Sequence, residues 1–296
     1  MNSAQLSARL AAGPLLLDGG LGSMLIAAGL ESGRDPTGWN RERPEAVAAV
    51  HRAYAAAGSD LVHSNTFGAS PIKLRAAGSD DDCRAVNTLA VSLARAAVPA
   101  GVLVAGDVGP TGALLPPVGN ATEAELEAAF AEQAAALAAA GADLISIETM
   151  YDLREARAAV RAARGTGLAV LASMTFEARR RGFFTIMGDP LGPSLRALAD
   201  EGADAVGFNC SVTSDVMATM AAPARAAVGC PLIGQPNAGQ PRAEADGVVY
   251  DASPEAFARD LAAMVAAGLR LVGGCCGTTP EFIRAARAAI DAAGLP

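Results

Sequence analysis

The chain has 296 residues, a formal net charge of −8 and a sequence pI of about 4.9, which argues against a surface for nucleic acid or anionic membranes because phosphates would be repelled. It shows neither a secretory start nor an uncharged run near the roughly 18 residues that span a bilayer. We therefore expect a cytoplasmic protein whose partners are small molecules or other proteins. The cysteine count of five is odd, which favours free thiols or a metal site over a disulfide framework.

Short apolar runs typical of β-strands alternate with longer, Ala-rich amphipathic segments along the chain. The predicted strands are 15–17, 60–64, 102–106, 143–148, 168–174, 204–208, 231–235 and 269–273. Helices are predicted near 43–57, 80–98, 122–140, 152–164, 190–201, 214–228, 254–267 and 280–293. Several helices end in a glycine that can adopt the left-handed conformation before the next strand begins. This order predicts one domain, 1–296, folded as an α/β protein of the (β/α)8 TIM-barrel class, with an open doubly wound sheet as the weaker alternative.

Polar residues collect where the predicted strands end, whereas the loops from helix to strand are short and lack them. In a barrel of this class, the carboxyl ends of the strands carry the active groups. The polar positions are Asp18-Gly19-Gly20, Asn65-Thr66-Phe67, Asp107, Glu148-Thr149, Asn209-Cys210, Gln235-Pro236-Asn237 and Cys275-Cys276. The asymmetry predicts a single site at the carboxyl-terminal mouth of the barrel.

Two adjacent cysteines, Cys275 and Cys276, stand between glycines after the last predicted strand, and Cys210 follows the sixth. These strand ends would be near neighbours on the barrel rim. Three protein thiolates with an open fourth position form a catalytic type of zinc site, and a substrate thiol bound there would lose its proton near neutral pH. A packing role for Cys210 and a vicinal disulfide between the adjacent pair are the alternatives. Neither histidine, His51 or His63, is needed as a ligand.

The motifs resemble the homocysteine S-methyltransferase family over about residues 15–293, as represented by the homocysteine-binding domain of cobalamin-dependent methionine synthase and by bacterial betaine–homocysteine methyltransferases. The resemblance is carried by Asp18-Gly19-Gly20, Asn65-Thr66-Phe67-Gly68, 106–112, Glu148-Thr149, Met174-Thr175-Phe176, Asn209-Cys210, 236–239 and 273–280. It implies a (β/α)8 barrel in which Cys210, Cys275 and Cys276 bind Zn²⁺. Homocysteine thiolate would take the fourth position and become methionine by methyl transfer.

The resemblance also implies a place for the rest of the amino acid. The carboxylates of Asp18 and Glu148 would hold the substrate ammonium, and backbone amides near Gly19 and Gly20 and around Thr66 would face its carboxylate. Without the resemblance, the two acids could equally cap helices or form ion pairs. Three further candidates could equally be turn residues that bond their own backbone: Asn65, Asn209 and Asn237.

The methyl donor is less well specified than the acceptor. The chain lacks the Asp-X-His-X-X-Gly signature of a cobalamin module, so methylcobalamin would arrive on a separate corrinoid protein docked at the mouth. A small onium donor such as glycine betaine would bind directly, with Trp39, Tyr151 and Phe176 as candidates for a cation–π pocket worth about 0.5–2 kcal/mol. A single tryptophan is more often a packing residue. S-methylmethionine ranks third because that branch usually has arginine where Gly277 stands, and 179–189 could form a donor lid or a docking surface.

Two competing classes fit parts of the sequence. A phosphate-binding lyase or isomerase barrel would explain the Gly-rich loop after the last strand but not the three cysteines. A barrel that stores or senses zinc, or that holds a structural zinc, would explain the cysteines without methyl transfer. The sequence does not indicate the oligomeric state.

Overall fold

The computed structural model describes residues 1–79, 81–244 and 247–294. The strands are β1 (Leu15–Leu16), β2 (Leu61–His63), β3 (Leu103–Val108), β4 (Leu144–Met150), β5 (Val170–Met174), β6 (Glu177–Arg179), β7 (Gly182–Phe184), β8 (Ala205–Thr213), β9 (Leu232–Asn237), β10 (Arg242–Glu244), β11 (Gly247–Val249) and β12 (Leu271–Val272). Two antiparallel hairpins, β6–β7 and β10–β11, stand apart from the main sheet. The other strands form the barrel.

The eight barrel strands pair in parallel in the order β1, β12, β9, β8, β5, β4, β3, β2. A parallel bridge between Leu17 and Leu61 joins the two ends of this series, and the Asp60 N–H donates to the Leu16 carbonyl at 2.7 Å. The first strand therefore pairs with both the second and the last. The predicted (β/α)8 barrel is confirmed, and the open doubly wound sheet is excluded.

Helices connect the strands and pack around the barrel. They are α1 (Ser3–Ala11), α2 (Leu21–Ala27), α3 (Trp39–Glu42), α4 (Pro44–Ala56), α5 (Pro71–Ala76), α6 (Cys83–Ala97), α7 (Glu123–Ala139), α8 (Leu153–Arg164), α9 (Leu191–Asp200), α10 (Ser214–Ala218), α11 (Ala221–Ala227), α12 (Pro254–Ala266) and α13 (Pro280–Ala292). Among the helices of the described ranges, none combines the length and the apolar character that crossing a bilayer requires.

The buried apolar side chains form two clusters. The larger lies between the barrel and the surrounding helices. The smaller contains side chains from the barrel strands, such as Leu61, Leu144 and Leu171, together with Leu6 and Leu10 of α1. Helix α1, which the sequence analysis did not predict, therefore adds to the packing inside the barrel and leaves the opposite, carboxyl-terminal end for the site.

Two predicted segments differ from the structure. The single helix expected at 214–228 is divided into α10 and α11, because Pro223 lacks the N–H that a continuous helix would need and its ring would clash with the preceding turn. Strand β8 runs to Thr213, beyond the predicted end at 208, and Cys210 lies in an irregular stretch of it where the pairing with β9 shifts register. Part of the 179–189 segment belongs to the β6–β7 hairpin.

An aspartate before three of the barrel strands ties each strand to its neighbour. The carboxylates of Asp60, Asp143 and Asp204 accept backbone N–H groups of β1, β3 and β5 at 2.9, 2.7 and 2.7 Å. The preceding glycines have φ of +103°, +90° and +101°, the left-handed conformation that the repeated Gly-Xaa-Asp sequence predicts: Gly58, Gly141 and Gly202. The repeat therefore both ends a helix and joins two strands.

We expect Asp204→Ala to lower the free energy of unfolding by about 1–3 kcal/mol, because it leaves the buried Val170 N–H without an acceptor. Urea denaturation followed by far-UV circular dichroism measures the change. Asp200→Ala is the matched control, since Asp200 is exposed at the end of α9 and forms no ion pair with a described residue. Equal midpoints for the two variants would contradict this role of the carboxylate.

Candidate metal and substrate site

The three predicted cysteines meet at the carboxyl end of the barrel. The sulfurs of Cys210 and Cys276 are 3.9 Å apart, and those of Cys210, Cys275 and Cys276 all lie within 4.8 Å of one another. A tetrahedral zinc ion with bonds of about 2.3 Å would hold its sulfur ligands about 3.8 Å apart. The cluster therefore fits a soft divalent metal with only small adjustments, and all three side chains are partly exposed to the cavity described below.

Backbone hydrogen bonds fix the loop that carries the adjacent cysteines. The N–H of Cys275 donates to the Pro236 carbonyl at 2.8 Å, and the carbonyl of Cys276 accepts from the Ala238 N–H at 2.9 Å. On the other side, the Gly274 N–H donates to the Asp18 carbonyl at 2.9 Å. The cysteine loop is thus attached to the ends of both neighbouring strands, which sets the position of its sulfurs before any ligand binds.

Gly277 is required where this loop turns. Its φ is +79°, and a Cβ added there would lie 2.2 Å from Cγ of Tyr250. The Tyr250 ring therefore occupies the place of a side chain at position 277. Its hydroxyl hydrogen-bonds Cys276, and burial, followed by the charges of Cys276 and Cys210, raises the pKa of Tyr250 to about 12. Tyr250 covers one side of the sulfur cluster as a neutral phenol.

Backbone strain is concentrated beside the cluster. Cys210, Ser211 and Thr149 have φ of 59°, 62° and 62°, and they are the non-glycine residues with positive φ in the described chain. Asn209 holds this arrangement: its Oδ1 accepts from the Thr149 N–H at 2.8 Å and from Ser173 Oγ at 2.9 Å, and its Nδ2 donates to Thr149 Oγ1 at 2.7 Å. The predicted substrate-binding Asn209 is therefore fully buried and links three strand ends.

The pKa of one thiol in the cluster is lowered, and the pKa values of the other two are raised. Hydrogen bonds from Cys275 and Cys276, supported by the Ser211 N–H and Asn237, lower the pKa of Cys210 to about 3. The same contact with Cys210 is the largest cause that raises the pKa of Cys276, to about 12, and that of Cys275. One thiolate is thus favoured in the metal-free cluster, and binding a divalent cation would favour ionisation of the other two thiols.

The sulfurs form one wall of a cavity of about 210 Å³. Several predicted site residues line it with them, namely Gly19, Gly20, Asn65 and Glu148. It is also lined by polar residues that were not among the predicted ligands of the substrate: His63, Ser64, Asp107, Thr149 and Gln235. The cavity therefore combines a sulfur wall with an acidic one.

Asp18 does not line this cavity and is hydrogen-bonded to His63, which does. Its Oδ1 lies 2.7 Å from His63 Nδ1, its Oδ2 accepts the His63 backbone N–H at 2.9 Å, and it is 1% exposed. His63 Nε2 lies 3.1 Å from Ser146 Oγ. Burial alone would lower the pKa of His63, but the charge and hydrogen bond of Asp18, with the charges of Glu148 and Asp107, raise it to about 10. The pair is an imidazolium–carboxylate ion pair at neutral pH.

Asp107 and Glu148 are the acids that face the cavity. Within the described ranges neither forms an ion pair, and Asp107 Oδ1 is buried without a hydrogen-bond partner. Burial, then the charge of Glu148, raises the pKa of Asp107 well above its usual value. Burial is also the largest cause that raises the pKa of Glu148, with the charge of Asp18 acting in the same direction. Both shifts favour a proton on this acidic wall, whereas a cation placed against it would favour the carboxylate forms.

Several predicted site residues form hydrogen bonds within the protein that hold neighbouring loops, including two that line the cavity. Thr66 is fully buried, and its Oγ1 donates to the Asp107 carbonyl at 2.7 Å. Asn65 does line the cavity, but its Nδ2 donates to the Pro36 carbonyl at 2.9 Å. The Gly20 N–H, expected to face a substrate carboxylate, donates to Thr278 at 3.0 Å for Oγ1 and 3.1 Å for the carbonyl oxygen. Asn237 lies against Cys210.

The three aromatic residues considered for a donor pocket do not line the cavity. Trp39 is 4% exposed in the main core, with the Arg43 guanidinium 5.4 Å from its ring centroid. Phe176 is 1% exposed, and Tyr151 is half-buried outside the cavity lining. The described cavity therefore has no aromatic cage built from these side chains.

Comparison with known proteins places the chain in a family. The homocysteine S-methyltransferase family model matches residues 15–290. The chain is 34% identical over 294 residues to methionine synthase of Mycobacterium tuberculosis and 33% identical over 264 residues to that of Mycobacterium leprae, covering 92% and 85% of this chain. It spans only 24% and 22% of the length of these relatives.

Solved structures agree with this assignment. The metallated form of the homocysteine methyltransferase MmuM from Escherichia coli is 28% identical, with a TM-score of 0.79 over 96% of this chain and 99% of that one. A methyltransferase from Methanosarcina mazei, 15% identical with a TM-score of 0.63 over 95% of this chain and 94% of that one, shares the fold. On the match over most of its length and on these relatives, the chain belongs to the homocysteine S-methyltransferase family.

Proposed function

We propose that this chain is a zinc-dependent methyltransferase that converts homocysteine to methionine. The cluster of three cysteine sulfurs within 4.8 Å of one another, open to a cavity with an acidic wall, is the observation that carries the proposal. Cys210, Cys275 and Cys276 would hold the metal. When bound, zinc would act as a Lewis acid that favours the thiolate form of a substrate thiol, so that no protein base is needed.

The chain's own residues would position the substrate for in-line transfer. Asn209 and the strained backbone at Cys210 keep the sulfur wall rigid, and the acidic wall at Glu148 would attract the substrate ammonium. The homocysteine sulfur attacks the methyl carbon, the S–C bond forms, and the donor leaves with the electron pair of its broken bond to the methyl group.

The proposed donor is a methylated corrinoid protein that docks at the mouth or a small onium compound of the glycine betaine type. A groove of about 1070 Å³ adjoins the sulfur cavity, and Pro36, Thr37, Phe67 and Gly68 line both. A donor could reach the thiolate through this groove while homocysteine fills the inner cavity. The cavity lacks an aromatic cage of Trp39, Tyr151 and Phe176, so a betaine-type donor would be bound by other groups.

The experiment begins with metal analysis of the purified protein, in which we expect about one zinc per chain. Zinc-loaded protein and homocysteine are then incubated separately with glycine betaine, S-methylmethionine and a methylated corrinoid protein, and methionine is measured by mass spectrometry. Formation of methionine with one donor supports the proposal and identifies the donor. Absence of zinc, or of methionine with every donor, contradicts it.

Removing the metal provides a further prediction. Treatment with a strong chelator should abolish methionine formation, and adding zinc back should restore it, because only the metal keeps the substrate thiol ionised at neutral pH. Activity and zinc content are measured on the same samples. Activity that persists after zinc is lost would show that the cluster does not serve methyl transfer.

A further inference from the structure

Two side-chain hydroxyls join the turn after the first strand to the cysteine loop. Ser23 Oγ donates to the Gly20 carbonyl at 2.9 Å and accepts the Gly277 N–H at 3.1 Å. Thr278 Oγ1 donates to the Cys275 carbonyl at 2.6 Å and accepts the Gly20 N–H at 3.0 Å. Each hydroxyl therefore closes a turn within its own segment and bonds to the other segment. We call Ser23 and Thr278 the hydroxyl clamp.

The two segments approach so closely that glycine is required at the points of contact. A Cβ added at Gly20 would lie 2.3 Å from Ser23 Oγ and 2.6 Å from the Cys275 carbonyl oxygen. A Cβ added at Gly274 would lie 2.2 Å from Thr278 Oγ1. Any other residue at these positions would push the turn and the loop apart, so their contact depends on both glycines as well as on the hydroxyl clamp.

Thr278 is also held from behind. Its side chain is fully buried, and its carbonyl accepts the hydroxyl of Tyr54 on α4 at 2.7 Å and the Gly20 N–H at 3.1 Å. Tyr54 is fully buried as well. The Thr278 hydroxyl therefore has a fixed position, and its loss would leave the Cys275 carbonyl without its side-chain donor.

The hydroxyl clamp lies at the edge of the sulfur cavity. Gly20, Ser23 and Cys275 all line this cavity, so a molecule bound to the sulfurs lies against the turn at Gly20. The clamp thus sets the distance between the sulfurs and the turn that faces the rest of the bound molecule. Supports of this kind matter for catalysis because small displacements of a bound reactant lower the rate strongly.

We infer that Ser23 and Thr278 are positioning residues, which hold the turn at Gly19 and Gly20 against the cysteine loop so that the thiol and the amino-acid portion of one substrate molecule are seated together. This inference rests on the proposed function, because it concerns the alignment of homocysteine at the same site. Each hydroxyl already donates one hydrogen bond to the backbone and accepts another, so both act through the backbone of the site.

The test compares homocysteine with n-propanethiol, which has the same thiol but lacks the ammonium and the carboxylate. Ser23→Ala should lower kcat/KM for homocysteine by about 10–100-fold, because a misplacement of about 1 Å can cost that much. The affinity for n-propanethiol should stay at the wild-type level, since this thiol makes no use of the turn. Zinc content should also stay at the wild-type level, because backbone bonds to Pro236 and Ala238 still hold the cysteine loop.

Further variants separate the hydroxyl from the rest of the side chain. Thr278→Val removes the second hydroxyl with little change of shape and should reproduce the effect of Ser23→Ala, whereas Thr278→Ser keeps the hydroxyl and should bind homocysteine as the wild type does. Ser92→Ala is the matched control, since Ser92 is exposed on α6 and its hydroxyl bonds to the Thr88 carbonyl at 2.8 Å. Melting transitions show that each variant is folded, and calorimetric binding of both thiols to the zinc-loaded proteins needs no methyl donor.

The outcomes separate the inference from the proposed function. Equal losses for the two thiols in Ser23→Ala, or wild-type affinity for homocysteine in both Ser23→Ala and Thr278→Val, would overturn the inference while methyl transfer by the wild type stands. A loss in Thr278→Ser as large as that in Thr278→Val would show that the hydroxyl is not the group that matters. If the wild type neither binds homocysteine nor makes methionine with any donor, the proposed function fails and the inference fails with it.

Discussion

Replacing Cys275 by serine is expected to leave the purified protein with far less than one zinc per chain and to abolish methyl transfer to homocysteine. Changes to groups that merely support a metal ligand weaken binding by about 10–100-fold, so removal of a ligand should exceed that range. A serine hydroxyl is not ionised near neutral pH and is a poor ligand for zinc. Metal analysis and methionine formation measured on the same preparation test both parts.

Cys230→Ser is the control for this substitution. Cys230 is a half-buried free thiol that precedes β9 and does not belong to the sulfur cluster, so its change should leave zinc content and activity at wild-type levels. Serine at positions 210 and 276 should reproduce the effect of serine at 275, because all three sulfurs lie within 4.8 Å of one another. Full zinc in Cys275→Ser would mean that the cluster is not the metal site.

Much of the fold followed from the sequence because strand and helix periods alternate throughout. The periods of strand and helix do not show that the barrel is closed. Closure depends on the pairing of Leu17 with Leu61, which lie in separate parts of the chain. Helix α1 was missed because it precedes the first strand and belongs to no β/α unit. Its Leu6 and Leu10 acquire a role only where they contact the inward-facing strand residues.

The cysteine cluster was the most predictable part of the site. Adjacent cysteines between glycines at a strand end are rare enough to indicate chemistry. The barrel places the ends of β8 and β12 on the two sides of β9, which brings Cys210 close to Cys275 and Cys276. The substrate residues were harder to assign, because several acids occupy strand ends and sequence position does not show which acid is already paired. Asp18 is paired with His63 and Asp107 is not, which depends on side-chain packing across β1, β2 and β3.

Trp39 is a second residue whose side-chain packing could not be read from its position in the sequence. It follows the first strand, where a mouth-facing aromatic would be expected, but the chain between α2 and α4 turns its ring into the main core. Tyr250, by contrast, was not selected as a site residue, although its ring lies over Gly277 and its hydroxyl contacts Cys276. The glycine at position 277 was the signal available in the sequence, and the structure shows that the Tyr250 ring occupies the space of a side chain there.

The ion pair of His63 with Asp18 should be the largest source of pH-dependent stability in the site. The pKa of His63 is raised to about 10 in the folded protein, above its ordinary value of about 6.5 in an unfolded chain. The stabilisation is therefore fully present below pH 6.5 and is lost as the pH rises through about 10. Between pH 7 and 9, this one proton should lower the free energy of unfolding by about 1.4 kcal/mol per pH unit.

Nuclear magnetic resonance can follow the two histidine side chains of the chain directly. The His63 imidazole should remain protonated through pH 9, whereas His51, whose pKa burial lowers to about 4, should be neutral throughout. In Asp18→Asn the pKa of His63 should fall, because burial lowers it and the charge and hydrogen bond of Asp18, the largest influences that raise it, would be lost. The slope of unfolding free energy between pH 7 and 9 should then be smaller than in the wild type. A wild-type His63 that titrates near pH 6.5 would mean that Asp18 does not hold it as a cation, and Asp18 would then be available to a substrate ammonium.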